Sequence, residues 1–136
     1  MSYEESLKAI TLVADATLGV YTGVAGQPGS PQPHGGNQYR FVKVTGVGQA
    51  GLATGAGDAI GVVQNKPQGT GHAATVAFSG VSNVLTGGPI SAGDGIKSDG
   101  TGKAVKATPV TDAALVVAIA IGTSTGVDQL IPALLV

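Results

Sequence analysis

A chain of 136 residues with 23 glycines, 11% charged residues and no cysteine has room for one domain with its own core. It has no means of building disulfides, thiolate metal sites or a cysteine nucleophile. The net charge is −1, and Lys8, Arg40, Lys43, Lys66, Lys97, Lys103 and Lys106 are scattered, which argues against a nucleic-acid partner because phosphate backbones demand clustered cations.

The apolar mass is valine, alanine, leucine and isoleucine, with aromatics at only 4%. β-Branched residues suit half-buried pleated surfaces and glycine suits the tight turns between them, so many short strands are expected rather than helices. So low a charge suggests a surface largely covered by a partner, the rival explanation being a thermostable or secreted β domain.

At the N-terminus, Ser2 and Glu5 have the spacing of a capping box that opens a short helix. Ile10, Thr11, Leu12 and Val13 follow at once, and residues 7–14 read as a strand or an extended arm. Residues 1–8 lack the basic start and apolar run of a secretory leader, so a soluble, cytoplasmically made protein is expected. Residues 22–37 are rich in proline and glycine, cannot pair in a ladder, and read as a long exposed loop.

Residues 38–45 alternate as a strand, with Tyr39, Phe41 and Lys43 on one side and Arg40, Val42 and Val44 on the other. Residues 46–57 have turn character. Short strands are expected at 60–64 and 74–78, the latter inside a longer segment, 75–85, where Gly80 marks a bulge or a close approach. Gly87, Gly88 and Pro89 break the chain. Asp94-Gly95 and Asp99-Gly100 are tight-turn pairs, and residues 103–107 form a strand with Val105 inward.

Residues 113–121 alternate large (Leu115, Val117, Ile119, Ile121) and small, as in a strand with one thick and one tight face. That apolar run is too short to span a bilayer. The apolar end, with Leu134, Leu135 and Val136, should pack in this subunit or against another. Ala56-Gly57-Asp58-Ala59-Ile60 is echoed by Ala92-Gly93-Asp94-Gly95-Ile96, too little to establish a repeat.

Chemistry is sparse. Gly69-x-Gly71-x-x-Ala74 fits a loose dinucleotide pattern but lacks the helix that must follow. His34 and His72 lie in loops, with no acid and nucleophile spaced to join them. Asp58, Asp94, Asp99, Asp112 and Asp128 read as turn formers, and a calcium site at Asp94 and Asp99 lacks an acid-dense loop. No enzyme activity, catalytic residue, cofactor or metal is expected.

Three stretches, QYRFVKV from Gln38, GDAIGVVQNKP from Gly57, and the run from Ala74 to Ala107, together resemble the small capsid decoration (cement) proteins of tailed bacteriophages. The AALVVAIAIG segment fits the same pattern, and about two-thirds of the chain is covered.

The resemblance implies an all-β, small β-barrel or β-sandwich-like domain with an extended N-terminal arm and a long Pro/Gly-rich loop. The division is residues 1–37 for arm and loop and 38–136 for the core. It implies a homotrimer on the outer capsid face, over capsomer junctions, with the major capsid protein as partner and no membrane or small-molecule substrate. Loop 22–37 is longer than in the shorter members. The residues expected to make capsid or subunit contacts are Tyr3, Glu4, Glu5, Leu7, Ile10, Tyr21, Pro28, Pro31, Pro33, His34, Tyr39, Leu134, Leu135 and Val136. The tyrosines would be amphipathic anchors, with ordinary core or rim packing as the alternative. The competing function is a β domain of a phage fibre or adhesin that binds a host glycan or receptor.

Overall fold

The structure, a computed structural model, describes residues 7–19, 37–55, 57–67 and 69–136. The elements in chain order are β1 (Lys8–Ala14), a one-turn helix α1 (Ala16–Gly19), β2 (Phe41–Gly46), β3 (Gln49–Leu52), β4 (Gly61–Val63), β5 (Ala73–Gly87), β6 (Gly95–Ser98), β7 (Ala104–Lys106), a 3₁₀ turn at Ala113–Leu115, β8 (Ala118–Ala120) and β9 (Val127–Leu135). The fold is all-β and barrel-like, as the composition leads one to expect. The capping box at Ser2 and Glu5 and nearly all of loop 22–37 lie outside the described residues.

The nine strands among the described residues close into two rings that share β5. Ring one runs β1-β3-β2-β4-β5 and returns to β1; ring two runs β5-β7-β6-β8-β9 and returns to β5. In each ring the first pairing is parallel and the other four are antiparallel. The strand order is therefore the same in both. The 15-residue β5 is the last strand of one ring and the first of the other. Its handover falls at Gly80, which has φ of 101°: β1 pairs with β5 as far as Ser79, and β9 takes over from Gly80. Closure leaves few free sheet edges, which suits a chain with little charge to keep it from aggregating.

The rings match residue by residue. Hairpin β2–β3 pairs Val42 with Leu52, Lys43 with Gly51 and Val44 with Ala50. Hairpin β6–β7 pairs their counterparts, Ile96 with Lys106, Lys97 with Val105 and Ser98 with Ala104. The Ala53 amide donates to the Phe41 carbonyl at 3.0 Å, and the Ala107 amide to the Gly95 carbonyl at 2.8 Å. Ile60 donates to Val42 as Val117 does to Ile96, and Gln64 to Thr75 as Ile121 does to Pro132. Thr11 faces Thr75 in ring one, and Asn83 faces Pro132 in ring two. Positive φ recurs at Tyr39 and Gly93, at Gly48 and Gly102, and at Gly71 and Asp128. This is one supersecondary unit used twice.

Each ring buries its own small-residue interior. Ala14, Leu18, Val42, Ala50, Val63, Ala74 and Val76 fill ring one. Val84, Ile90, Ile96, Ala104, Ala118, Ala120, Ile131 and Ala133 fill ring two. Leu18 on α1 and Ile90 just after β5 are buried plugs at corresponding places. Phe41, Ala53, Val62 and Ala77 lie on the outer side of ring one yet are buried, because they pack into the cluster of ring two. They form the joint between the rings. Burying side chains such as Phe41 and Val62 stabilises by roughly 1.5–3 kcal/mol each.

Several local expectations change. Of the two forms expected for residues 7–14, the strand is what forms, paired to β3 and β5. Strand β3 occupies part of 46–57, where turns were expected; Gly51 is tolerated mid-strand because the Asp15 carboxylate fills the space of its missing side chain. The strand expected at 38–45 starts only at Phe41, since Tyr39 has φ of 64°. In β7 the inward residue is Ala104 and Val105 is half-buried. Residues 113–121 are a strand only over Ala118–Ala120, where Ala118 and Ala120 face the core while Ile119 and Ile121 face outward. A narrow five-strand ring has room for alanine inside, so the tight face is the interior. The Gly-Asp echo holds locally, since Asp58 and Asp94 each accept from a residue just upstream, but the two segments occupy different places in the two rings.

Candidate functional surface

The polar groups that turn the chain are spent on the chain. Asp99 Oδ1 accepts from the Thr101 and Lys103 amides at 2.8 and 2.9 Å, closing the β6–β7 turn. Asp94 Oδ2 accepts from the Ser91 amide at 2.9 Å. Asp58 accepts from the Thr54 amide (3.2 Å) and hydroxyl (2.6 Å) and faces Lys43 Nζ at 3.5 Å. Its counterpart Asp112 accepts from the Thr108 amide at 2.8 Å and from Lys97 Nζ at 2.9 Å.

Burial pushes the Asp58 carboxyl up, but the Thr54 hydrogen bonds and Lys43 outweigh it, and its pKa lies below the ordinary value. The Thr108 amide and Lys97 hold Asp112 low in the same way. Asp15 also lies low, since hydrogen bonds from Thr17, Thr45 and Leu18 exceed the effect of its burial. Arg40 is buried at the joint, which pushes its pKa down, opposed by Asp128 and Asp99 of ring two. Among the described residues no three histidine or acidic side chains gather as a metal cage would require. His72 is exposed in a turn, and His34 lies outside the described residues.

What the structure offers a partner is apolar relief. Val44, Val47, Ile60 and Phe78 are exposed on ring one, and Val110, Val127, Leu130, Leu134 and Val136 on ring two. Val47 stands at the tip of the β2–β3 hairpin and Val110 in the loop after β7, where its φ is 70°. Positive φ is rare for a β-branched residue, and an exposed, strained valine is unusual twice over. An open groove of about 490 Å³ is lined by Tyr39, Gln64, Val81, Ser82, Asn83 and Pro132.

Of the contact residues expected from the sequence, Tyr3, Glu4, Glu5, Tyr21, Pro28, Pro31, Pro33 and His34 lie outside the described residues. Leu7, Ile10, Leu134 and Val136 are exposed. Val136 lines a cleft with Ile60, Gly61 and Phe78 of ring one. Leu135 itself turns inward to the core cluster, so the apolar C-terminal segment is packed on one face within this subunit and bare on the other. Tyr39 is half-buried, packs against the core and lines the groove. Val44, Val47 and Val110 were missed. Their signal was a valine among turn residues, as in Gly46-Val47-Gly48, where a soluble chain ordinarily places a polar residue.

No protein-family model matches the chain, and no curated protein matches it. Among solved structures, the chain is similar in fold to the head fibre gp8.5 N base of bacteriophage phi29, with a TM-score of 0.65 over 96% of this chain and 95% of that one, at 15% identity.

Proposed function

We propose that this protein is a structural component of a bacteriophage virion, seated on the outside of the head and held there by the major capsid protein. The observation that carries this reading is the end-to-end fold similarity to a phage head fibre base, which covers nearly the whole of both chains. The resemblance of the Gln38, Gly57 and Ala74 stretches to capsid decoration proteins points to the same surface.

The physical character of the molecule supports it. Closed rings with alanine-packed interiors make a stiff block, and the bare valines and leucines supply adhesive surface. In the proposed role the protein works as a cement or decoration protein, as a homotrimer at capsomer junctions, stabilising the shell without catalysis. It would engage several shell subunits at once and gain by avidity. The second reading is the base of a head fibre that presents a host-binding domain, and the same phi29 similarity supports it.

The test is co-sedimentation of the purified protein with expanded, DNA-free phage heads and with unexpanded proheads, followed by heat challenge of the decorated heads. Binding to expanded heads with a raised disruption temperature supports the cement role. Binding without added resistance supports the fibre base. Failure to bind either form overturns both.

A further inference from the structure

The joint between the rings has two halves. One is the outer side of ring one, the row Phe41, Val62 and Ala77 with the loop after β3. The other is the end of ring two, built from Ser98, Thr101 and Leu135. Gly55 packs against the Ser98 carbonyl, Arg40 Nη1 donates to the Thr101 carbonyl at 3.4 Å, and Leu135 lines a cleft with Phe41.

Because the unit is repeated, each half exists a second time; Val116 of the same chain packs beside Gly95, and among the described residues the rest of the second copies is left largely exposed. The counterpart of the side is the row Gly95, Ile119 and Leu134 on ring two, with the loop carrying Val110. The counterpart of the end is Val44, Val47 and Phe78 on ring one. Exposure follows: Ser98 is 6% exposed and Val44 56%, while Leu135 is 7% exposed and Phe78 43%.

The chemistry differs in the direction a contact requires. Positions filled by Ser98 and Leu135 in the covered end, and by Thr101 at its exposed tip, hold the more apolar or bulkier Val44, Phe78 and Val47 in the bare one. The side that would meet them carries Gly95, Ile119 and Leu134 where the covered side has Phe41, Val62 and Ala77, so it stays apolar with its bulk moved toward Leu134. The backbone part of the joint is not repeated: the Phe41 amide reaches the Gly102 carbonyl across the rings, whereas the Gly48 carbonyl is taken by Val13 of its own ring. Only the side-chain surface is left over.

We propose that a second copy of this chain fills it, head to tail, the end of ring one in one copy (Val44, Val47, Phe78) seating on the side of ring two in the next (Ile119, Leu134, Val110). Such a contact is heterologous, so it closes a ring or grows a chain rather than making a symmetric pair. It rests on the internal repeat and holds whatever the protein binds.

The test uses the whole chain without any phage shell. Val47→Asp spoils only the end and Val110→Asp only the side, and both positions are almost fully exposed, so folding is spared. Should either variant fold poorly by circular dichroism, Val44→Glu or Leu134→Glu replaces it. By sedimentation velocity the wild type is expected as an oligomer, each variant alone as a 13.2 kDa monomer, and their equimolar mixture as a dimer joined through the one intact end and the one intact side. A wild type that stays monomeric at 100-fold higher concentration overturns the proposal. So does a single substitution that leaves the oligomer intact, or a mixture that stays monomeric.

Discussion

Ring one and ring two have the same strand order, matching register and hydrogen bonds that recur within each ring, yet the end of one is covered and the end of the other bare. The end of ring two is closed by its neighbour over Ser98, while Thr101 beside it stays exposed; the end of ring one is open and carries Val44 and Val47. In a lone soluble unit one expects the opposite, polar residues where water reaches and apolar ones where it does not. That the open end is the more apolar of the two is the contrast on which the proposed self-association rests.

The comparison can be broken first at the joint. Phe41→Ala empties the largest side chain between the rings and is expected to cost about 3–5 kcal/mol in urea unfolding, with the two rings then unfolding in separate steps. A cost below about 1 kcal/mol would mean the rings do not lean on one another. The plugs come next. Leu18→Ala and Ile90→Ala remove corresponding buried side chains, and each is expected to lower stability by about 2–5 kcal/mol, with loss of amide protection concentrated in its own ring by hydrogen exchange.

The hairpin glycines sharpen the contrast. Gly48 and Gly102 have φ of 66° and 81°, so alanine at either is strained, by about 1–2 kcal/mol. Space is open around Gly48, whereas a methyl at Gly102 would sit 2.7 Å from the Phe41 carbonyl oxygen. Gly102→Ala is therefore expected to lower the melting temperature clearly more than Gly48→Ala; equal shifts would argue that the joint is loose.

The smallest effect belongs to the matched aspartates. Asp58 and Asp112 have pKa values below the ordinary 3.8, so their contribution to stability is complete above that value and is lost as pH falls below it through their folded values. Acid titration of Asp58→Asn and Asp112→Asn should each show a shallower loss of stability below pH 3.8 than the wild type. An unchanged slope in both would show that neither carboxylate is held by its Thr and Lys partners.

Much of this was legible in the sequence and some was not, for physical reasons. Valine-rich segments and Asp-Gly turns mark most strands, and Gly80 marks the middle of β5 where one ring hands over to the other. Strand β3 was hidden because Ala50 and Gly51 look like turn residues, and it is their long-range pairing to β1 and β2, with Asp15 packed against Gly51, that makes a strand of them.

The repeat was hidden although its marks are present. Lys43, Gly46, Gly48, Ala50, Ala53, Thr54 and Asp58 recur at constant spacing as Lys97, Gly100, Gly102, Ala104, Ala107, Thr108 and Asp112. Matches of glycine and alanine carry little weight in a chain so rich in both. The spacing also changes along the unit, because the 3₁₀ turn Ala113–Leu115 is inserted before β8 and because the two units share β5. The more obvious Gly-Asp echo joins places that do not correspond. Of the exposed apolar residues, Leu134 was among the contact residues expected from the sequence, which placed the C-terminal end against a surface, whereas Val47 and Val110 stand where turn chemistry masks an apolar side chain.

The two-ring architecture itself is most directly tested by scalar couplings across hydrogen bonds in isotopically labelled protein. Six are predicted, in three matched pairs: Ala53 to Phe41 with Ala107 to Gly95, Ile60 to Val42 with Val117 to Ile96, and Gln64 to Thr75 with Ile121 to Pro132. Couplings found in only one member of each pair would contradict the repeat, and with it the unpaired half-joint on which self-association depends.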